Sequence, residues 1–167
     1  MHKIALRGDV IMLKKYKPYL ISILIALAVG GLSAWLTKNG MDAYQKNVIQ
    51  PPLSPPMILF PIVWSILYIL MGIGSAIIYK SDAPTRKTAL ISYGLQLIVN
   101  FFWSIIFFNM GAYLFAFIWL VLLWALIINM IVEFRKINKT AAYLQIPYLL
   151  WVTFAGYLTL MVYILNR

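Results

Sequence analysis

Five stretches of this chain, 19–37, 57–79, 88–108, 112–134 and 141–165, are apolar over about the twenty residues that an α-helix needs to cross roughly 30 Å of hydrocarbon. One charged residue, Glu133, falls within them. No other feature restricts the fold as much, because five such helices use most of a 167-residue chain and leave almost no residues for a soluble domain. Composition agrees: 63% of residues are hydrophobic and 11% charged, too little polar surface to coat a soluble domain of this size. The runs also lack the alternation of apolar and polar residues that a water-filled lumen imposes on a β-barrel. The expectation is an all-α membrane protein, a bundle of five transmembrane helices over 18–167, behind a basic N-terminal segment over 1–17.

The net charge of +10 raises the question of nucleic acid, and its distribution answers it. Lys3, Arg7, Lys14, Lys15 and Lys17 precede the first run, Lys80, Arg86 and Lys87 follow the second, and Arg135, Lys136 and Lys139 follow the fourth. In a five-helix bundle all of these lie on one side, while Lys38, Lys46 and Arg167 lie on the other. The positive-inside rule then places the N-terminus in the cytoplasm, with the first loop and the C-terminus outside. No basic cluster is interleaved with groove-reading aromatics, so no nucleic-acid partner is expected. A cleavable signal peptide over 14–34 is disfavoured, since cleavage after Ala34 would place bulky Leu32 where a small residue is wanted. Met12, followed by Leu13-Lys14-Lys15, makes a natural start, so residues 1–11 read as an alternative start or an appended extension.

Much chemistry is excluded. The chain has no cysteine, hence no disulfide, thiolate metal site or cysteine nucleophile. Its lone His2 lies in the N-terminal tail, and Asp9, Asp42, Asp82 and Glu133 sit in loops or at a helix end. No intramembrane carboxylate is available for a proton relay, and neither paired carboxylates nor a histidine cluster supports hydrolytic or metal chemistry. No metal site and no resident cofactor are expected.

What remains within the apolar runs is aromatic and amide chemistry. Of six Trp and eleven Tyr, those near helix ends, such as Trp35, Tyr79 and Tyr113, suit an interfacial belt. Trp64, Trp103, Trp119, Trp124 and Trp151 lie deeper, where indoles can wall a flat apolar pocket while offering an N–H. Gln96 and Asn100 stand at i and i+4 and put two amides on one helix face. An amide facing lipid is costly, so they serve either interhelical hydrogen bonds or ligand contacts. Ala26, Gly30 and Ala34, and then Gly72 with Ala76, form small-residue stripes for close helix approach, either within the bundle or along a dimer seam. Pro147 should interrupt the fifth run and free a carbonyl near Tyr143, shaping a cavity beside Tyr148 and Trp151. The outward loop from Lys38 to Pro56 carries Pro51-Pro52 and Pro55-Pro56, and reads as a semi-rigid lid over the bundle's outer end.

Together these residues resemble the translocator protein family, also called tryptophan-rich sensory proteins or peripheral benzodiazepine receptors, in a bacterial form. The resemblance covers nearly all of the five-helix region. It rests on Pro55-Pro56, Trp64, Leu67-Tyr68, Met71-Gly72 and Gly74-Ser75; then on Gln96-Leu97, Asn100, Trp103-Ser104 and Phe107-Phe108; and finally on Pro147-Tyr148, Trp151, Phe154-Ala155 and Leu158. It implies a five-helix bundle, usually a homodimer, whose cavity beneath the first loop takes porphyrins, sterols or benzodiazepine-type ligands. By motif the ligand-binding residues would be Tyr44, Pro55, Pro56, Trp64, Tyr68, Gln96, Asn100, Trp103, Tyr148, Trp151, Phe154 and Ala155, and the sterol pattern of the last helix matches at Leu160, Tyr163 and Arg167. The chain departs from the family where a Trp-Tyr pair and a further Trp read Tyr44-Gln45 and Leu53, where a helix-four acid is Trp119, and where the Asn after Leu158 is Thr159.

A porphyrin is a flat aromatic disc with acidic propionates. Indole and phenol walls suit its faces, and amides or Lys38 and Lys46 suit its acids. With its single His in the tail, the chain fits metal-free porphyrin better than stably ligated haem. The leading expectation is therefore a membrane tetrapyrrole-binding protein acting as sensor, carrier or scavenger. Light-dependent porphyrin breakdown, with Trp64 and Trp151 as candidate radical carriers, stays open beside it. So do a transporter of porphyrin or other amphipaths and a regulatory membrane partner with an incidental pocket.

Overall fold

The computed structural model describes the backbone from residue 2 to residue 167 and the side chains from Lys15 onward. The expectation for residues 1–11 lies outside the described side chains. Six α-helices account for the chain: α1 (His2–Asn47), α2 (Leu59–Tyr79), α3 (Arg86–Ser104), α4 (Tyr113–Ile137), α5 (Lys139–Tyr143) and α6 (Ile146–Leu165). A π-helical turn, Ile105–Asn109, continues α3. Among the described residues five helical spans are long and apolar enough to cross a membrane, the fifth made of α5 and α6 together. In hydrocarbon the helix is the local answer for such runs, since it alone satisfies every backbone group within one segment.

The spans form a ring. α1 packs on α2, α3 on α4 and α4 on α6, and the ring closes where α1 meets α3 and its π turn. α2 packs closely against α3 and α5. It meets α6 through aromatic side chains, Phe60 on Trp151 and Trp64 on Tyr148, with ring centroids 5.9 and 6.1 Å apart.

Small residues set the tightest contacts. A Cβ on Gly72 would stand 2.5 Å from the Ile23 Cα, and one on Gly30 would overlap the Tyr68 ring. Ala26 is fully buried, while Ala34, the last residue of the α1 stripe, is exposed yet borders a cavity. At these positions the stripe brings α1 onto α2 within the bundle, where dispersion contacts replace a hydrophobic driving force that lipid does not supply.

One boundary differs from the sequence expectation. The first span was expected to end at 37 and to yield to a loop over 38–56, but α1 continues to Asn47 and the connection shortens to 48–58. The segment 38–47 contains no proline, is rich in residues that tolerate helix well, and turns Met41 and Tyr44 inward. Its one weak point, Gly40, is required, because a Cβ there would lie 2.6 Å from the Phe108 carbonyl oxygen of the π turn.

In the fifth span the helix breaks at Leu144–Gln145, and Pro147 falls in the first turn of α6, where its missing N–H costs nothing. The Gln145 side chain crosses this break, donating from Nε2 to the carbonyls of Ala141 (3.2 Å) and Leu70 (3.5 Å). The third span likewise ends in the π turn, where Asn109 Nδ2 donates to the Leu36 carbonyl at 3.0 Å and Gly111 takes φ +60° to turn the chain into α4.

Gly72→Leu is expected to destabilise the protein by about 1–3 kcal/mol, the usual cost of overpacking, because the obstruction is backbone. Gly94→Ala, with nothing within 4 Å of the added carbon, should be neutral or stabilising. Thermal unfolding of both variants in detergent tests the contrast; equal midpoints would show that α1 and α2 are not held by this contact.

Candidate functional site

Where α2 and α6 diverge, the half of the bundle under the 48–58 loop is hollow. Three adjoining chambers run inward from the 48–58 loop. The mouth, about 550 Å³, is walled by the end of α1 (Tyr44, Gln45), the loop residues Gln50, Pro51, Ser54, Pro55, Pro56 and Met57, and Phe60 and Leu158. Beneath it lies a narrow gap of about 40 Å³ among Met41, Tyr44, Phe60, Trp103, Phe107, Phe108, Ala155 and Thr159. Beside that lies an inner chamber of about 160 Å³, bounded by Gly30, Ser33, Thr37, Phe60, Trp64, Tyr68, Asn100, Trp103, Ser104 and Phe108.

The walls are aromatic because the helices arrange them so. The π turn inserts one residue into the α3 ladder and thereby turns both Phe107 and Phe108 inward. Phe107 stacks on Trp103 at 5.3 Å and 21°, and Tyr44 of the α1 extension meets Phe107 at 5.2 Å and Phe108 at 5.5 Å. Trp64 and Tyr68, one turn apart on α2, face each other with centroids 5.5 Å apart.

Polar groups are few and placed. Asn100 Nδ2 donates to the Tyr68 hydroxyl at 3.0 Å, which leaves that hydroxyl's own hydrogen to be donated at the inner chamber's wall. Tyr148 O–H donates to Gln96 Oε1 at 2.8 Å, and Gln96 Nε2 lies 3.8 Å from the Met71 sulfur, a weak acceptor. Of the two expected uses of these amides, the interhelical hydrogen bond is present for both. Gln96 makes an interhelical bond in the fully buried floor, whereas Asn100 bonds across helices and also borders the cavity.

The residues singled out from sequence divide accordingly. Tyr44, Pro55 and Pro56 line the mouth; Trp64, Tyr68, Asn100 and Trp103 line the inner chamber; Ala155 lines the gap. Gln96 and Tyr148 stand behind this wall, and Trp151 and Phe154 pack against each other at 5.7 Å, with Trp151 backing Phe60. The deeper indoles of α4 are engaged elsewhere: Trp119 donates to the Val99 carbonyl at 2.8 Å and Trp124 to Thr153 Oγ1 at 3.0 Å. Of the sterol-pattern residues, Leu160 borders an apolar groove of about 370 Å³ on the outer face between α4 and α6; Tyr163 is half-buried and Arg167 exposed. Trp35, 71% exposed, fits the interfacial belt. Among the described residues no group of His, Asp or Glu is placed to hold a metal ion.

Sequence reasoning missed three elements. Phe60 and Met41 carried no signal beyond being apolar. Asn166, near the C-terminus, ties the mouth loop down: its Oδ1 accepts the Ile49 N–H at 2.9 Å and its Nδ2 donates to the Ile49 carbonyl at 3.1 Å. The loop is stiffened further by Tyr44 O–H donating to Gln50 Oε1 at 3.0 Å.

The chain matches the model of the TspO/MBR family over residues 22–165. It is 34% identical over 144 residues to the tryptophan-rich protein TspO of Chlorobaculum tepidum, covering 85% of this chain and 91% of that one. It is 32% identical over 145 residues to the tryptophan-rich protein TspO of Archaeoglobus fulgidus, covering 87% and 94%. The similarity reaches the translocator protein of Bos taurus, 31% identical over 132 residues, covering 77% and 78%.

Tyr148→Phe leaves Gln96 Oε1 buried without its donor, with an expected loss of about 1 kcal/mol. Adding Gln96→Leu should recover part of that loss, since removing both partners is cheaper than removing one. A double-mutant cycle on thermal stability measures the coupling, and strict additivity would show that the bond contributes nothing. Asn166→Ala should raise the rate of protease cleavage within 48–58 several-fold while leaving the unfolding midpoint nearly unchanged; unaltered cleavage would show that the amide clamp does not hold the loop.

Proposed function

The chain belongs to the TspO/MBR family, and from that premise we propose that it is an integral membrane protein that binds tetrapyrroles, protoporphyrin in particular, as a sensor, carrier or scavenger. The carrying observation is the cavity under the 48–58 loop, with indole, phenol and phenyl walls and an Asn100–Tyr68 pair as its polar handle. Flat aromatic faces stack on such walls, and a few convergent polar groups orient them. Family resemblance extends the same pocket to sterol-like or benzodiazepine-type ligands and implies a homodimer.

In this reading the protein sits in a bacterial cell membrane with its N-terminus in the cytoplasm and the mouth outside. The placement of Lys80, Arg86, Lys87, Arg135, Lys136 and Lys139 at the opposite end from the mouth supports that orientation. Transport is the second reading. Against a through-path in this conformation, the cavity ends on a packed floor of Gln96, Tyr148 and Met71, each fully buried. Photochemical breakdown of the ligand would use the same site, with Trp64 the wall indole and Trp151 packed behind Phe60.

Protoporphyrin titrated into the detergent-purified protein in the dark is expected to quench tryptophan fluorescence saturably near micromolar, about −8 kcal/mol. Trp64→Phe with Trp103→Phe should weaken binding more than Trp64→Phe with Trp151→Phe, because Trp103 is wall and Trp151 is backing. Non-saturating quenching equal in all proteins would mean partition into the micelle and would defeat the tetrapyrrole reading. Loss of porphyrin absorbance under light that needs Trp64 would add turnover to binding.

A further inference from the structure

We propose that Phe60 is the specificity-determining residue of this cavity, a side-chain valve that sets the size of ligand admitted from the mouth to the inner chamber. The inference rests on the reading of the cavity as a site for flat aromatic ligands and deepens it. Phe60 alone borders the mouth, the gap and the inner chamber. The inner chamber, about 160 Å³, is smaller than the roughly 300–1,000 Å³ of sites that enclose a drug-sized molecule, while the mouth, about 550 Å³, falls within that range. A ligand too large for the inner chamber must therefore span both, and the Phe60 ring stands between them.

Phe60 is built to turn. It occupies the first turn of α2, next to Pro61, where few helical bonds hold the backbone. Its ring is held edge-to-face by Trp151 at 5.9 Å, and the Trp151 indole N–H, though buried, has no hydrogen-bond partner. The pair can swing aside without breaking a hydrogen bond. This gives Trp151 the part of a positioning residue, acting on the ligand through Phe60.

Because the chain has no cysteine, access can be read with a single introduced thiol. Ser104→Cys reports on the inner chamber and Ser54→Cys on the mouth. With a charged methanethiosulfonate reagent, Phe60→Ala should speed labelling at Ser104→Cys at least tenfold, Phe60→Leu should speed it less, and Phe60→Trp should slow it. Labelling at Ser54→Cys should stay within twofold in every background. Trp151→Leu should shift the inner rate in the direction of Phe60→Ala.

Identical inner-chamber rates across Phe60→Ala, Phe60→Leu and Phe60→Trp would overturn the valve. The same variants are then titrated with protoporphyrin by stopped-flow quenching, with association expected fastest in Phe60→Ala. Thiol rates that follow Phe60 while protoporphyrin binds none of the proteins saturably would uphold the valve and remove the tetrapyrrole reading. Saturable protoporphyrin binding at one common rate, with unaltered thiol rates, would do the reverse.

Discussion

Hydrocarbon offers no water to a backbone N–H or carbonyl, and everything distinctive in this bundle follows from where that rule is met by unusual means. Along most of each span the α-helix satisfies the backbone alone. At the two interruptions within spans a side-chain amide intervenes. Gln145 reaches back over the α5–α6 break to the Ala141 and Leu70 carbonyls, and Asn109 joins the π turn to the Leu36 carbonyl of α1. The α5–α6 break is closed over by the fully buried Gln145 side chain, whereas the π turn ends its span at exposed residues from Asn109 onward. The π turn borders the hollow, where it turns Phe107 and Phe108 inward, and the α5–α6 break, below the floor, begins α6 on a line that leaves α2.

Close approach and hollowness are then two sides of one arrangement. Gly72 and Gly30 let α1 lie directly on α2 and on the Tyr68 ring, and Gly74 leaves room for the Gln145 amide. Such contacts consume the small residues on the inner half of the bundle. Between α2 and α6 on the half nearer the 48–58 loop, rings replace backbone contact, through the Phe60–Trp151 and Trp64–Tyr148 pairs. An aromatic pair spans a distance that a glycine closes, so the same helix is tight at one end and separated from its neighbour at the other.

Hydropathy made the five spans legible, because a membrane imposes a length and forbids charge. It could not locate the end of α1, since from Lys38 onward the chain needs only to tolerate helix, and Met41, Ala43, Tyr44 and Lys46 do. Trp64 and Trp103 were legible as candidate wall residues because an indole deep inside an apolar run needs a reason; Asn100 was legible as either an interhelical or a ligand-facing amide, and Tyr68 came only with the family resemblance. Phe60 was not legible, since a phenylalanine in a hydrophobic run needs no reason. Trp151 carried the same signal as Trp64 yet packs on Phe60 and Phe154 instead of lining the inner chamber, a distinction of tertiary packing and not of residue type. Asn166 was hidden for another reason: its partner, Ile49, is 117 positions away and contributes only backbone.

The distribution of charge around the cavity constrains how an acidic ligand would lie in it. No residue bordering the inner chamber or the mouth is charged, and Lys38 and Lys46 stand exposed on the last turns of α1. A carboxylate carried to the Asn100–Tyr68 pair would lose its hydration with only neutral donors to replace it, and burying an unpaired charge is far costlier than burying a ring. The favourable arrangement places the ring system inward against Trp64, Trp103 and Phe108 and leaves the acids at the mouth, within reach of water and of those lysines. Tyr68 and Asn100 then face a neutral edge of the ligand, such as a pyrrole nitrogen, for which a phenol hydrogen and an amide are suited partners.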